Sequence, residues 1–224
     1  VILWPMSSDL VPICLSVTAG DLYTLWAPRW RECGDEWEAF LGHDENLYAF
    51  SSAAHLVPYV RADAEHDLTD HPAWGATSRV RAHRLDPDND HHFDLVSVEE
   101  LLADKPTAES VQKIANALAI VSAIGTVCEL PAVTKFFNGN PMLSSVNGGI
   151  AEFTGKAGAK RWKNVATVVG RSWDSVLAAV DEIIVSPEVD ASLSARAAQE
   201  LAEPAPEEPE EADEGPDISA VSVN

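Results

Sequence analysis

Long apolar runs, paired cysteines and positive charge are what this chain has least of. No apolar run reaches the roughly 20 residues that cross a bilayer, so an integral membrane protein is not expected. Its three cysteines, Cys14, Cys33 and Cys128, lie far apart and form no CxxC pair. That leaves no material for a disulfide framework or an all-cysteine zinc site. Lys and Arg number 15 against 36 Asp and Glu, a formal net charge of −21. Such a balance argues against a broad nucleic-acid-binding surface. GxSxG, Walker A, GxGxxG and HExxH are all missing, and with them the signatures of nucleophile-elbow hydrolases, P-loop NTPases, dinucleotide enzymes and zincins. No cofactor is expected.

What remains is 224 residues, 46% hydrophobic, enough for one sizeable core or two small ones. The first residues, Val1 to Met6, lack the basic and long apolar regions of a signal peptide. A chain that opens on Val1 and reaches Met at position 6 is expected to begin near Met6 in its native form. A cytoplasmic location is the matching expectation.

Charge divides the chain. Residues 1–105 carry a net −12, residues 106–185 a net +1, and residues 186–224 a net −10. The sequence therefore predicts a β-rich part over 1–105, a helical part over 106–185 and a disordered acidic tail over 186–224. The tail's Glu- and Pro-rich stretch has too little apolar surface to offset its ordering entropy, although residues 191–202 have the composition of a short helix.

Within the first part, Val11 to Val17, Leu22 to Pro28, Trp37 to Gly42 and Asn46 to Phe50 read as short strands, three of them as a meander. Pro28 directs its strand to an edge or a bulge. Ser51-Ser52 opens a helix in which Pro58 is awkward, and Ser78 to Arg84 alternates as a further strand would. Val98 to Ala103 suits a short helix. In the second part Thr107 caps a helix in which Val111, Ile114, Leu118, Val121 and Ile124 recur at helical spacing. Leu130 to Phe137 suits a short helix. Trp162, Val165, Val169, Trp173, Val176 and Val180 predict a last one of about 28 residues. The fold class is α+β: a small antiparallel sheet with a short helix, then a helical region, then the tail.

Several residue sets carry chemistry. Trp26, Trp30 and Trp37 stand with Arg29 and Arg31 on the predicted meander. Indoles beside guanidinium groups fill small cores, anchor protein interfaces, or stack single-stranded nucleic acid. Glu32, Asp35, Glu36 and Glu38 surround them and repel phosphate, which favours the first two. His66, Asp67, Asp70 and His71 form an HDxxDH-like string that could hold a divalent metal, or simply a solvated acidic loop. His43-Asp44 adds a second doublet. Asp86, Asp88 and Asp90 alternate like the start of an EF-hand loop, but Pro87, His91 and Ser97 break that pattern. Lys156, Lys160, Arg161, Lys163 and Arg171 make the basic stripe of the chain, suited to its own acidic tail or an acidic partner.

The runs from Asp21 to Phe50, from Glu65 to Trp74 and from Trp173 to Asp181 resemble a family of small acidic actinobacterial cytoplasmic proteins, some of them labelled "primosomal protein". Trp26-Ala-Pro-Arg-Trp30 is the most specific marker, and the similarity covers most of residues 9–190. The label implies a link to replication.

Three functions follow as expectations. The first is a non-enzymatic intracellular binding or adaptor protein, presenting Trp26, Arg29, Trp30, Arg31 and Trp37 to another protein, basic in charge. The second is a replication-associated accessory factor acting through a DNA-bound protein rather than DNA. The third is a metal-dependent hydrolase built on His66, Asp67, Asp70 and His71.

Overall fold

A computed structural model describes residues 9–32, 35–62 and 64–205; the side chains of residues 30–32, 35 and 36 lie outside that description. The expected start near Met6 and the tail beyond residue 205 fall outside the described residues.

A β-rich opening gives strands β1 (Val11–Val17), β2 (Gly20–Glu32) and β3 (Asp35–Phe40), an antiparallel meander. Two short strands follow, β4 (Gly42–His43) and β5 (Asn46–Tyr48), and then helix α1 (Ala53–Arg61). Pro58 sits buried inside α1 without ending it. A polar stretch leads through α2 (Trp74–Thr77) and 3-10 turns at Ala82–Leu85 and Asn89–His91 to β6 (His92–Asp94). Ser78 to Arg84 is not a strand: turns occupy it, with Ala82 and Leu85 as the buried positions of the 3-10 turn.

The helical half comprises α3 (Val98–Ala103), α4 (Ala108–Val127), α5 (Pro131–Gly139) and α6 (Gly155–Ile183). Thr107 caps α4 as expected: its hydroxyl accepts the Ser110 N–H while the Ser110 hydroxyl accepts the Thr107 N–H. α4 is long and apolar enough to cross a membrane, but 56% of its most apolar window is buried inside the protein, as befits a core helix. α6 runs unbroken through Gly170.

The main sheet has the order β3-β2-β1-β6, with β6 parallel to β1. A second sheet, β4-β5-β7, uses β7 (Ile184–Val185) in parallel to β5. The sheets are therefore mixed rather than purely antiparallel, and β5 belongs to the second sheet rather than to the meander.

Strand alternation separates two cores. Ile13, Leu15, Val17, Trp26 and Phe40 face α3, α4, α5 and α6 and share one cluster with Val111, Ile114, Val133, Val165 and Trp173. Leu25, Ala27 and Leu41 join a second cluster with Phe50, Leu56, Val57, Val60 and Leu85. The compositional step at Lys105–Pro106 falls between α3 and α4, and residues from both sides of it feed the first cluster. Two glycines permit the tight helical packing. A Cβ on Gly125 would lie 2.3 Å from Val133 Cγ1, and one on Gly158 would lie 2.2 Å from the Phe153 backbone.

Part of the segment expected as tail is ordered. Residues Ala191–Ala202 form α7, whose Asp190 side chain accepts the Ser192 and Leu193 N–H groups at its N-terminus. Ala197 and Leu201 enter the second core, and Glu200 receives both Arg61 guanidinium nitrogens at 3.0 Å and the Ala82 N–H at 2.6 Å. Composition concealed this because small alanines suffice where α7 crosses α1 closely.

Candidate functional site

β2 is longer than its neighbour. Its pairing with β1 ends where Trp26 meets Val11, and beyond that point it pairs with β3 alone. The β2–β3 hairpin therefore continues past β1 as a two-stranded arm. Over residues 27–32 the edge of β2 that faces away from β3 has no strand partner among the described residues. β3 is itself the outer strand of the sheet.

The register shifts between Ala27 and Trp30, where Pro28 and Arg29 stand. Pro28 has no N–H for the ladder, and a bulge accommodates it, as the sequence predicted. The bulge has a consequence the sequence reading missed. Trp26 pairs with Phe40 and Trp30 with Trp37, so β2 spends one more residue than β3 between those pairs. That extra residue reverses the alternation of β2. Trp30 thus holds the register position opposite Trp37.

Of the five residues expected to form one surface, Trp26 lies in the core instead. Trp26 is a core residue, 2% exposed and stacked on Phe40 with ring centres 6.2 Å apart. Its Nε1–H donates to Glu38 Oε1 at 3.2 Å. The Arg29 Nε–H donates to the other oxygen of Glu38 at 3.4 Å, so Arg29 is a solvent-facing partner of a core-capping carboxylate. Trp37 is the opposite case, 53% exposed. The side chains of Trp30 and Arg31 lie outside the described residues.

The His–Asp string is folded into a loop against Trp74. His66 is buried, and its Nδ1 accepts the Leu68 N–H at 3.2 Å. Its ring meets Trp74 edge-on at 4.0 Å. His71 repeats the pattern, with Nδ1 accepting the Ala73 N–H at 3.1 Å. Each imidazole thereby spends on its own backbone the lone pair a metal would need at Nδ1. Asp67 turns away to His43, whose Nδ1 is 3.6 Å from its carboxylate. Among the described residues no three His, Cys, Asp or Glu side chains converge on one point. His66, Asp67, Asp70 and His71, expected as metal ligands, are thus not brought together as a cluster among the described residues, and the loop backbone holds Nδ1 of both imidazoles. Asp88 likewise serves a local role, accepting the Asp90 and His91 N–H groups and lying 2.7 Å from His91 Nδ1.

Cys14 and Cys128 are buried, and loss of solvent pushes both thiols up to about 11. They are packed hydrophobes rather than nucleophiles. The basic stripe is real. Lys160, Arg161 and Asn164 of α6 line an open recess of ≈ 370 Å³ with Met142, Ser144 and Ser145 of the 3-10 segment Pro141–Gly148.

The sequence description of the SatS C-terminal domain matches residues 10–181. The chain belongs to that family. β7 and α7 lie beyond the span that the SatS C-terminal domain match covers. A solved structure described as "The crystal structure of SatS c-terminal domain in complex with bromine" superposes with a TM-score of 0.58 at 17% identity, over 80% of this chain and 95% of that one. At that identity the likeness establishes a shared fold. No curated protein matches the chain. For this member of the SatS C-terminal domain family, the arm with Trp37 and the recess beside α6 are the surface features that stand apart from the packed core.

Proposed function

We propose that this domain is a non-enzymatic protein-binding module of the cell interior, and that it engages a partner through the β2–β3 arm with Trp37 as anchor. The observation that carries this reading is the contrast among its indoles. Trp26, Trp162 and Trp173 are at most 6% exposed, whereas Trp37 is 53% exposed on the β2–β3 hairpin. An exposed indole on a rigid strand is the side chain that most often dominates interface energy. The edge of β2 over residues 27–32, which has no strand partner among the described residues, supplies backbone donors and acceptors to which an extended partner segment can add. The acidic surface favours a basic partner and fast encounter with it. A replication-associated role differs from this only in the partner's identity, with contact made to a basic DNA-bound protein.

The test is capture of partners from native cell extract by the wild-type chain and by Trp37→Ser, with far-UV circular dichroism confirming the fold of both. Proteins retained by wild type and lost by the variant support the arm as the docking surface. Truncating a hot-spot Trp costs about 2 kcal/mol or more, roughly a 30-fold loss of affinity. An identical set with both chains refutes it. Binding to DNA that survives about 150 mM salt would contradict the choice of a protein partner.

A further inference from the structure

We propose that the recess between the 3-10 segment Pro141–Gly148 and the first half of α6 docks the acidic stretch 207–217 of this same chain. Residues 155–173 of α6 hold five of the chain's 15 bases, Lys156, Lys160, Arg161, Lys163 and Arg171, and no acid at all. Lys156, Lys160 and Lys163 follow at steps of four and three, so they lie along one face. All three are exposed, and none has an ion-pair partner among the described residues. Arg161 is different: it donates to both the carbonyl and the carboxylate of Glu152. That bond fixes one wall of the recess and leaves the lysines to meet a ligand.

The recess measures ≈ 370 Å³ and is lined by Lys160 and Asn164 on one side and by Ser144 and Ser145 on the other, with Met142 as its apolar contact. The hydroxyls of Ser144 and Ser145 donate to the Pro141 and Met142 carbonyls. The Asn164 amide and the Lys160 ammonium group are thus the donors that the recess presents, with Lys156 and Lys163 exposed beside Lys160 on the same helix. A carboxylate-bearing, extended segment fits that chemistry; a cationic or apolar one does not.

This unpaired cationic face sits on a molecule of net charge −21. The potential turns positive only locally at this face, so an acidic segment already tethered to the chain meets it more readily than a free anion repelled by the rest of the molecule. Residues 207–217 supply seven acids and no base, the densest negative run in the chain. They follow α7, which ends at Ala202. The 12 residues 206–217 span up to about 40 Å when extended. A folded domain of about 200 residues has a radius of gyration near 16 Å, hence a diameter of about 40 Å. Extended, the stretch is thus about as long as the domain is wide. Tethering raises its local concentration to the millimolar range, so a contact too weak to hold a free peptide is occupied intramolecularly.

The probe is a fluorescent synthetic peptide of residues 206–217, titrated by anisotropy at low salt. Three full-length chains are compared. These are the wild type, a tail-neutralised chain with Glu207, Glu208, Glu210, Glu211, Asp213, Glu214 and Asp217 changed to Gln or Asn, and that same chain with Lys160→Glu and Lys163→Glu added. Far-UV circular dichroism checks each fold, and Lys160→Gln with Lys163→Gln serves as a milder pair. The tail-neutralised chain should bind the peptide at least 10-fold more tightly than wild type, whose recess is already filled. The lysine changes should abolish that binding, and salt should weaken it. Equal binding by wild type and the tail-neutralised chain overturns self-occupancy. Binding that survives the lysine changes places the contact elsewhere, and no binding by any chain removes the site. Concentration-dependent self-association of the wild type, lost on tail neutralisation, would show exchange between copies and refute docking within one chain.

Discussion

Replacing Trp173 by Phe tests whether a single indole pins the two halves of the chain together. Trp173 is 1% exposed near the middle of α6. Its Nε1–H donates to the Leu95 carbonyl at 2.8 Å, tying α6 to the turn between β6 and α3, and its ring lies 5.8 Å from that of Phe136 on α5. Phe keeps the apolar contact but deprives a buried carbonyl of its donor, which costs about 1–3 kcal/mol. The smaller ring also leaves a void of roughly 40 Å³, worth about 1 kcal/mol at about 24 cal/mol per Å³. The expected loss is therefore about 2–4 kcal/mol. In a chain of this size that lowers Tm by roughly 4–16 °C. Urea unfolding followed by far-UV circular dichroism reads the loss as a lower midpoint at unchanged slope. Trp37→Phe is the control and should change stability by no more than about 0.5 kcal/mol. A loss under about 1 kcal/mol for Trp173→Phe, or an equal loss for both variants, would refute the assignment of one indole to the core and the other to the surface.

Two further outcomes follow from the buried titratable groups. Burial holds the His66 imidazole below its ordinary 6.5, with Asp67 opposing. The unfolded chain therefore takes up a proton that the folded one resists. Stability is full above about pH 6.5 and falls as the pH drops below it, by up to about 1.4 kcal/mol per unit for that one site. His66→Gln should make the decline between pH 7 and pH 5 shallower, and parallel curves for the two chains would show that His66 does not titrate on unfolding. Cys14 and Cys128, with thiols pushed up to about 11, should resist iodoacetamide at pH 7.5 in the native protein and react in urea. Peptide mapping after alkylation reads each site, and native labelling as fast as denatured labelling would contradict their burial.

Local order was legible wherever a pattern repeats along a single element. The spacing of Val111, Ile114, Leu118, Val121 and Ile124 yields α4, and that of Trp162, Val165, Val169, Trp173 and Val176 yields α6, because a helix buries residues that are three and four apart. Thr107 and Pro28 were legible for the same reason: a cap and a missing N–H act within a few residues. The short helix α3 and the α+β class belong with them.

Contacts between distant segments were decided by the fold alone. β6 and β7 are three and two residues long, too short to show a period, and they become strands only because β1 and β5 offer edges to them. α7 looked like tail because Ala197 and Ser194 are small and Glu200 is charged; the helix is held by α1, and Glu200 by Arg61 139 positions earlier. The tryptophans show the same division. Sequence placed Trp26, Trp30 and Trp37 on one hairpin, but the packing of the rest of the chain buried Trp26 and left Trp37 exposed. Sequence by itself thus fixed composition, charge and the periodic helices, since those depend on neighbours along the chain. The tertiary structure decided which indole is buried, which histidine nitrogens bond to the loop backbone and that residues 191–202 pack as a helix, since burial depends on what the rest of the chain brings alongside.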